Sequence, residues 1–299
     1  MKILVLGSSG FIGRNTTKAF SQKNQVFAID RLNQPESNGS LRPAFDLERN
    51  KSLLLLNNFD VLINCAGSGH VSNSFTDPFN DFQSNTALVA GLLSLLAKYS
   101  PSTHFINISS AAVYGNPISN PIDETCKTQP LSPYGFHKLM ADQICQEYAT
   151  LFGIKVSVLR VFSAFGPGLR KQLFWDTHCK FGQTQQIQAF GTGNESRDFI
   201  FIDDLVQALD KIVKFQIEMF GLFNVGSGKA ITISEAIATF AKVYGWNGEI
   251  LFDKSSLTGY PDNWQADISK IQSLGFQPQF TLEEGLIKYA EWLKKSQSV

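Results

Sequence analysis

The sequence predicts an α/β protein: a doubly wound parallel sheet followed by a smaller C-terminal α/β lobe. Two observations carry that prediction. Apolar, strand-like runs (KILVLG, QVFAID, DVLINCAG, THFINISS, IKVSVLRVF) alternate through the first half with helical patterns near 10–22, 80–98 and 133–152. This is the rhythm of a parallel sheet covered by helices on both faces. The first run leads through Gly7, Gly10 and Gly13 into a helix. Strand, glycine turn and helix in that order can present free backbone N–H groups to a pyrophosphate.

Each element has a local reason. Ile3-Leu4-Val5-Leu6 is unbroken apolar chain, as in a strand buried on both faces. Phe11, Ile12, Ala19 and Phe20 recur at helical spacing. Glycine costs backbone entropy, so three at fixed spacing mark a close approach of backbone to another group. A tight turn with its helix packed on the strand would use the same glycines, and the pattern alone does not separate the two. The second strand ends at Asp30, where a carboxylate accepts hydrogen bonds from an adenosine ribose. It would also repel a ribose 2′-phosphate, which favours NAD over NADP. Arg31 follows and could pair with that phosphate, which keeps NADP open. The helix over 133–152 starts after Ser132, with Pro133 in its first turn.

Beyond about residue 165 the rhythm loosens. Short strands (IQAF, LFNVGSG, EILFD) mix with helices near 171–182, 233–244 and 281–296. RDFIFIDDLVQALDKIV, over 197–213, is expected to return to the main sheet before adding a helix. The division that follows is a dinucleotide-binding domain over 1–165, with 197–215 returning to it, and a substrate lobe over most of 166–299. The stretch NQPESNGSLRP at 33–43 reads as a polar loop.

Composition narrows the class. The 299 residues suffice for a sizeable core, and 26 basic residues balance 26 acidic ones. That balance makes no electrostatic case for nucleic acid or an anionic membrane. Cys65, Cys126, Cys145 and Cys179 are scattered, without a CxxC pair or clustered histidines, so no metal site and no disulfide framework is expected. The first strand begins at residue 2, leaving no room for a signal peptide. ALVAGLLSLLA at 87–97 is too short for a bilayer, which needs ~20 residues. A soluble cytoplasmic protein with no membrane partner is expected.

The chemistry lies in SPYGFHK. Tyr134 and Lys138 are four apart on one helical face. A tyrosine with a pKa of ~10 is a poor base at neutral pH. An adjacent ammonium and a cationic nicotinamide are expected to lower that pKa. NISSAAVYG places Ser109 and Ser110 at the carboxyl end of a strand, where such sheets bind ligands. Ser110 could bridge a reacting hydroxyl and the Tyr134 oxygen. Taken singly, an amphipathic pair and a strand-end serine need no function; together with the glycine turn they are specific.

With these motifs the chain resembles the extended short-chain dehydrogenases/reductases, in their nucleotide-sugar epimerase/dehydratase branch. The resemblance runs over nearly the whole chain: GSSGFIG, FDLER, INCAG, GHVSNSFTDPFNDFQSN, SSAAVYG, SPYGFHK, RVFSAFGPG, GTGNESRDFIFIDDLV and LFNVGSG, in that order. It implies a Rossmann-type sheet, an NAD cofactor, a nucleotide-diphosphate sugar as substrate, and a homodimer formed through the helices near 80–98 and 133–152. The stripe Leu88, Leu92, Leu95, Leu96 could equally be core. For the cofactor it implies Gly7, Ser9, Gly10, Phe11, Ile12 and Gly13, then Asp30 and Arg31. Asp46 and Leu47 would contact adenine, and Cys65, Ala66, Gly67 and Ser109 would lie near the cofactor. Tyr134 would be the acid/base, Lys138 would orient the nicotinamide ribose, Ser110 would be the hydroxyl partner, and Arg197 would face the substrate's diphosphate.

Three departures shape the reading. Family dehydratases carry acid directly after the Ser/Thr of SSAAVYG, where this chain has Ala111 and Ala112. A methyl moves no protons, which disfavours a 4,6-dehydratase. The cysteine that enzymes making GDP-fucose place at the position of Ala112 is also missing. Ser163 stands where an Asn usually touches substrate, and the late LTGYPDNW stretch lacks the usual arginine. Arg170 and Lys171 either replace that charge or form a solvated helix start. What remains is hydride exchange at a sugar carbon, read as an NAD-dependent C4 epimerase acting through a 4-keto intermediate. The alternative is an NAD(P)H-dependent reductase of 4-keto-6-deoxy sugars, which Arg31 and the short C-terminal lobe fit. A dinucleotide sensor without catalysis would not need Ser110, Tyr134 and Lys138 together.

Overall fold

A computed structural model describes residues 1–30, 58–181, 183, 185–215, 217–255 and 259–297. Arg31, Asp46, Leu47 and the polar stretch 33–43 lie outside the described residues. In chain order the first half runs β1 (Lys2–Leu6), α1 (Phe11–Phe20), β2 (Gln25–Ile29), β3 (Val61–Asn64), α2 (Val71–Thr76) and α3 (Pro78–Phe82). A π-turn (Gln83–Ala87) leads into α4 (Leu88–Tyr99), followed by β4 (His104–Ser110), α5 (Pro133–Phe152), β5 (Val156–Val161) and β6 (Ser163–Phe165). Then come α6 (Gln172–Phe181), β7 (Gln186–Ala189), β8 (Ser196–Phe201), α7 (Ile202–Lys214) and β9 (Phe220–Val225). The chain ends in β10 (Ala230–Thr232), α8 (Ile233–Tyr244), β11 (Glu249–Phe252), α9 (Ser269–Gln272) and α10 (Leu282–Gln297).

Six strands form one parallel sheet in the order β2-β1-β3-β4-β5-β9. Its side chains alternate between two apolar clusters, as the two-residue period of a strand requires. Ile3, Val5, Val61, Ile63, Ile106 and Leu159 face one side together with Phe20 of α1 and Leu205 and Leu209 of α7. Leu4, Leu6, Leu62, Phe105 and Val158 face the other, against α4 and α5. Leu88, Leu92 and Leu96 are buried in that second cluster and Leu95 packs against it, so the stripe is core. Helices thus cover both faces, and the strands' carboxyl ends share one edge.

One expectation is corrected. The strand within 197–213 does not enter the main sheet: β8 pairs in parallel with β6 and antiparallel with β10. The place beside β5 belongs to β9, with Val156 opposite Phe220 and Val161 opposite Val225. The physical reason is aromatic. Phe199 and Phe201 of β8 lie 5.2 Å from Phe174 and 5.6 Å from Phe165, ring centre to ring centre, in the core of the second lobe. Only the helix of this stretch, α7, packs back on α1. In the second lobe β11 and β7 form a further parallel pair.

At the amino end of β4, away from the glycine turn, His104 is buried and its Nε2 lies 2.9 Å from Ser157 Oγ. Burial, helped by Lys155, pushes its pKa down from 6.5 to about 4. Between these values the unfolded chain binds a proton that the folded protein refuses, so stability rises with pH. The contribution is complete above pH 6.5 and is lost as pH falls through about 4; in full it is about 3 kcal/mol. Thermal melts across that window are expected to show this slope in the wild type and less of it in His104→Leu. Equal slopes would refute the assignment.

Candidate active site

The glycine turn closes β1 onto α1. Gly7 has φ +73°, a conformation open to glycine at no cost. The Gly7 N–H donates to Ile29 O at 2.9 Å, and the Gly10 N–H donates to Gly7 O at 3.0 Å. A Cβ on Gly13 would sit 2.1 Å from Gly7 O, and one on Gly7 would sit 2.6 Å from Ala66 N. Helix, turn and the end of β3 therefore meet at backbone distance. Gly10 caps α1 without a side-chain bond, so the first-turn amides of Phe11 and Ile12 keep their N–H groups for an anion. The Ser9 N–H donates to Asp30 Oδ2 at 3.0 Å, which fixes the second-strand carboxylate beside the turn. A turn closed at backbone distance, with free helix N-terminal amides and an acid at its rim, fits a dinucleotide.

The next wall follows β3. Asn64 Nδ2 donates to Asn107 Oδ1 at 3.0 Å, and the Ala66 N–H donates to Asn64 Oδ1 at 3.2 Å. Burial pushes the Cys65 thiol up to about 12, so it stays protonated and inert. Gly67, at φ +139°, faces Asn85 and Lys138: a Cβ there would lie 2.7 Å from Asn85 Oδ1 and 3.6 Å from Lys138 Nζ.

Ser110, Tyr134 and Lys138 converge at the carboxyl edge. Ser110 Oγ accepts the Ala112 N–H at 3.2 Å and stands close enough to the Tyr134 phenol to favour its ionised form. Helix α5 starts where Ser132 Oγ accepts the Gly135 N–H at 3.2 Å, with Pro133 in the first turn. The Tyr134 N–H, unused inside a first turn, donates to Ser74 Oγ of α2 at 3.1 Å. Lys138 Nζ donates to Ile108 O at 2.9 Å and stands 6.0 Å from the centre of the Tyr134 ring. Ser109 is buried and turns its hydroxyl towards Asp142.

The expected lowering of the Tyr134 pKa is not found in the protein's own groups. Burial pushes the phenol up to about 12, against the opposing influence of Ser110, and Asp81 and Asp142 act in the same direction as burial. The Lys138 ammonium is itself pushed down by burial, which Asp142 and Asp81 oppose.

The second lobe supplies cations. Arg197 of β8 donates from Nη1 to Ser196 O at 2.8 Å and to Asp262 O at 3.2 Å, and lies 5.7 Å from the centre of the Trp264 ring. It forms no ion pair among the described residues, and burial draws its pKa down to about 10. Neighbouring Asp198 is buried, and its carboxylate accepts the Ser227 and Gly228 N–H groups and the Ala266 N–H at 2.6, 2.9 and 3.1 Å. That pins three segments around Arg197. Ser163 opens β6 and is half-buried. Lys171 and Arg170 part company. Lys171 Nζ would lie 3.2 Å from a Cβ on Gly69, in the segment after β3. The Arg170 guanidinium instead lies 5.8 Å from the Trp175 ring centre and 5.5 Å from that of Trp292.

Asp81, Asn85, His137 and Asp198 went unremarked in the sequence. Each lies inside a stretch that carries the resemblance: Asp81 and Asn85 in GHVSNSFTDPFNDFQSN, His137 in SPYGFHK and Asp198 in GTGNESRDFIFIDDLV. Among the described residues no group of three His, Cys, Asp or Glu could hold a metal, and no helix is long and apolar enough to cross a membrane.

A glycine cradle behind β1 and a Ser-Tyr-Lys set at the same sheet edge define the class: a dinucleotide enzyme of the short-chain dehydrogenase/reductase type. The chain belongs to the NAD dependent epimerase/dehydratase family, whose model matches residues 3–226. A Methanocaldococcus jannaschii protein provisionally named UDP-glucose 4-epimerase is 29% identical over 309 residues, 98% of this chain and 99% of that one. Among solved structures, UDP-glucuronic acid 4-epimerase from Bacillus cereus, in complex with UDP-glucuronic acid and NAD, is 28% identical. Its TM-score is 0.88 over 99% of this chain and 100% of that one. MoeE5, in complex with UDP-glucose and NAD, has 27% identity and a TM-score of 0.88 over 99% and 100% of the two chains.

Proposed function

We propose that the protein is an NAD-dependent nucleotide-sugar C4 epimerase whose substrate passes through a transient 4-keto form. The observation that carries this is the Ser110–Tyr134–Lys138 set, followed by Ala111 and Ala112 where an elimination would need an acid. NAD, when bound, takes and returns the hydride and adds positive charge beside a phenol that burial holds protonated. Tyr134 would move the C4 hydroxyl proton, with Ser110 beside its oxygen, and Lys138 would orient the nicotinamide ribose. Gly7, Ser9, Gly10, Phe11, Ile12 and Gly13 would hold the pyrophosphate, and Asp30 the adenosine ribose, which favours NAD over NADP. Arg197, a half-buried guanidinium without an ion pair among the described residues, would take the diphosphate. Lys171, whose ammonium stands beside Gly69, would add a second cation; Arg170, whose guanidinium lies by the rings of Trp175 and Trp292, is given no such task. The relatives named above bear UDP-sugars in their names or complexes, which supports a UDP-sugar here. A homodimer would cover Phe79 of α3 and Phe136 and Met140 of α5, which are 68%, 49% and 40% exposed. The reading places the protein in the cytoplasm.

The test is a panel of UDP-, dTDP-, CDP- and GDP-sugars with catalytic NAD, followed by proton NMR. Interconversion of gluco- and galacto-configured sugars without net NADH is expected. No change in any member, with a 4-keto-6-deoxy sugar oxidising NADPH or NADH one for one, would establish the reductase instead.

A further inference from the structure

On the reading of Tyr134 and Lys138 given above, we propose that Asp81 is a positioning residue: one carboxylate oxygen fixes the Asn85 amide and the other anchors α5 through His137. Asp81 is 4% exposed. Its Oδ2 lies 2.6 Å from His137 Nδ1, and its Oδ1 accepts from Asn85 Nδ2 at 3.1 Å. His137 directly precedes Lys138 and follows Tyr134 by three residues. Its carbonyl accepts the Thr86 hydroxyl at 2.9 Å, and its ring meets Phe82 edge-on at 5.6 Å. The first turns of α5 are thus tied to the segment 81–86. That segment winds into the π-turn Gln83–Ala87, a distortion frequent at functional sites.

The bond from Asp81 sets which way Asn85 faces. An ionised carboxylate can only accept, so Asn85 must offer it the NH2 and turn Oδ1 away. Asn85 is 1% exposed, yet Oδ1 has no hydrogen-bond partner among the described residues. The oxygen points at Gly67, on the side where Lys138 Nζ stands. A buried acceptor without a partner is costly, and a fixed one is a preset acceptor at the rim of the dinucleotide site. With Asn at 81, either His137 or Asn85 meets an NH2 instead of an oxygen. Where it is Asn85, that amide loses its bond or flips, presenting a donor towards the Lys138 ammonium; where it is His137, the ring must accept on Nδ1 and its hold on the carboxylate is lost.

Asp81 also sets charge. Asp81 from α3 and Asp142 from α5 both hold Tyr134 towards its protonated form, while Ser110 from β4 opposes them. Lys138 is faced by the same two carboxylates and by Cys145 and Cys65. Asp142 is paired with Arg160 of β5 at 3.0 Å. Removing the Asp81 charge leaves Tyr134 easier to ionise.

Full-length Asp81→Asn is to be compared with wild type by thermal melting, by calorimetric titration with NAD and by the pH profile of kcat/KM. The NAD Kd is expected to rise about tenfold, and the rising limb of the profile to move to lower pH. Loss of the charge by itself would move that limb and leave the NAD Kd unchanged, so the Kd reports the positioning of Asn85. A folded variant with either readout unchanged overturns the proposal. Should Asp81→Asn not fold, His137→Phe keeps a ring against Phe82 and removes only the α5 anchor. An NAD Kd raised about threefold or more then supports the proposal, and an unchanged one overturns it. A wild type without C4 turnover would end the epimerase reading but leave the NAD arm of this test intact.

Discussion

Replacing Tyr134 with phenylalanine is expected to cut kcat by about 10²–10⁴-fold, the usual contribution of a positioned proton-transfer group, while NAD affinity stays at the wild-type level. The substitution removes one hydroxyl. The Tyr134 N–H still donates to Ser74, and Ser110 Oγ still accepts the Ala112 N–H, so α5 and the end of β4 keep their places. The glycine cradle lies at the end of another strand and makes no use of the phenol. Calorimetry with NAD, beside NMR of the sugar C4 signal, separates the two effects. Near wild-type turnover where chemistry limits the rate would remove Tyr134 from the mechanism.

Gly13→Ala is the second large effect. A methyl 2.1 Å from Gly7 O cannot be accommodated by a rotamer, because both partners are backbone. Helix α1 must move off β1, which opens the turn that presents the Phe11 and Ile12 amides. Overpacking of this kind typically costs about 1–3 kcal/mol, occasionally more. NAD binding is expected to disappear from calorimetric titration, and the melting temperature to fall. NAD affinity equal to wild type would show that the close approach is a packing device alone.

What was legible in the sequence was whatever had a local cause. Ile3 to Leu6 running into three glycines marks strand, turn and helix whether or not the turn holds a ligand, and Pro133 behind Ser132 marks a helix start whatever lies around it. Partner choice was not legible. RDFIF and LFNV are both apolar runs of strand length, and periodicity does not say that the first joins the Phe165–Phe174 cluster while the second closes the main sheet. Arg170 and Lys171 are neighbours in sequence, yet only the three-dimensional placement of Trp175 and Trp292 sends them different ways. The Asp81–His137 pair spans 56 positions: the residues stand in two separate motifs, GHVSNSFTDPFNDFQSN and SPYGFHK, and neither announces that they meet. For Tyr134 a sequence shows the nearest charge and hides the depth of burial, which among the protein's own groups is the larger influence.

The position of β9 bears on how the molecule is made. The main sheet ends on a strand that follows α6, β7, β8 and α7 in the chain. During synthesis from the amino end, β5 therefore emerges long before its neighbour and keeps an unpaired row of N–H and C=O groups until residue 225 is free. Open strand edges of that kind are where nascent chains associate wrongly. Completion of the nucleotide-binding half thus waits on part of the other half, so no cut near residue 165 yields a finished domain, and exchange of modules between relatives must carry β9 along with β1 to β5.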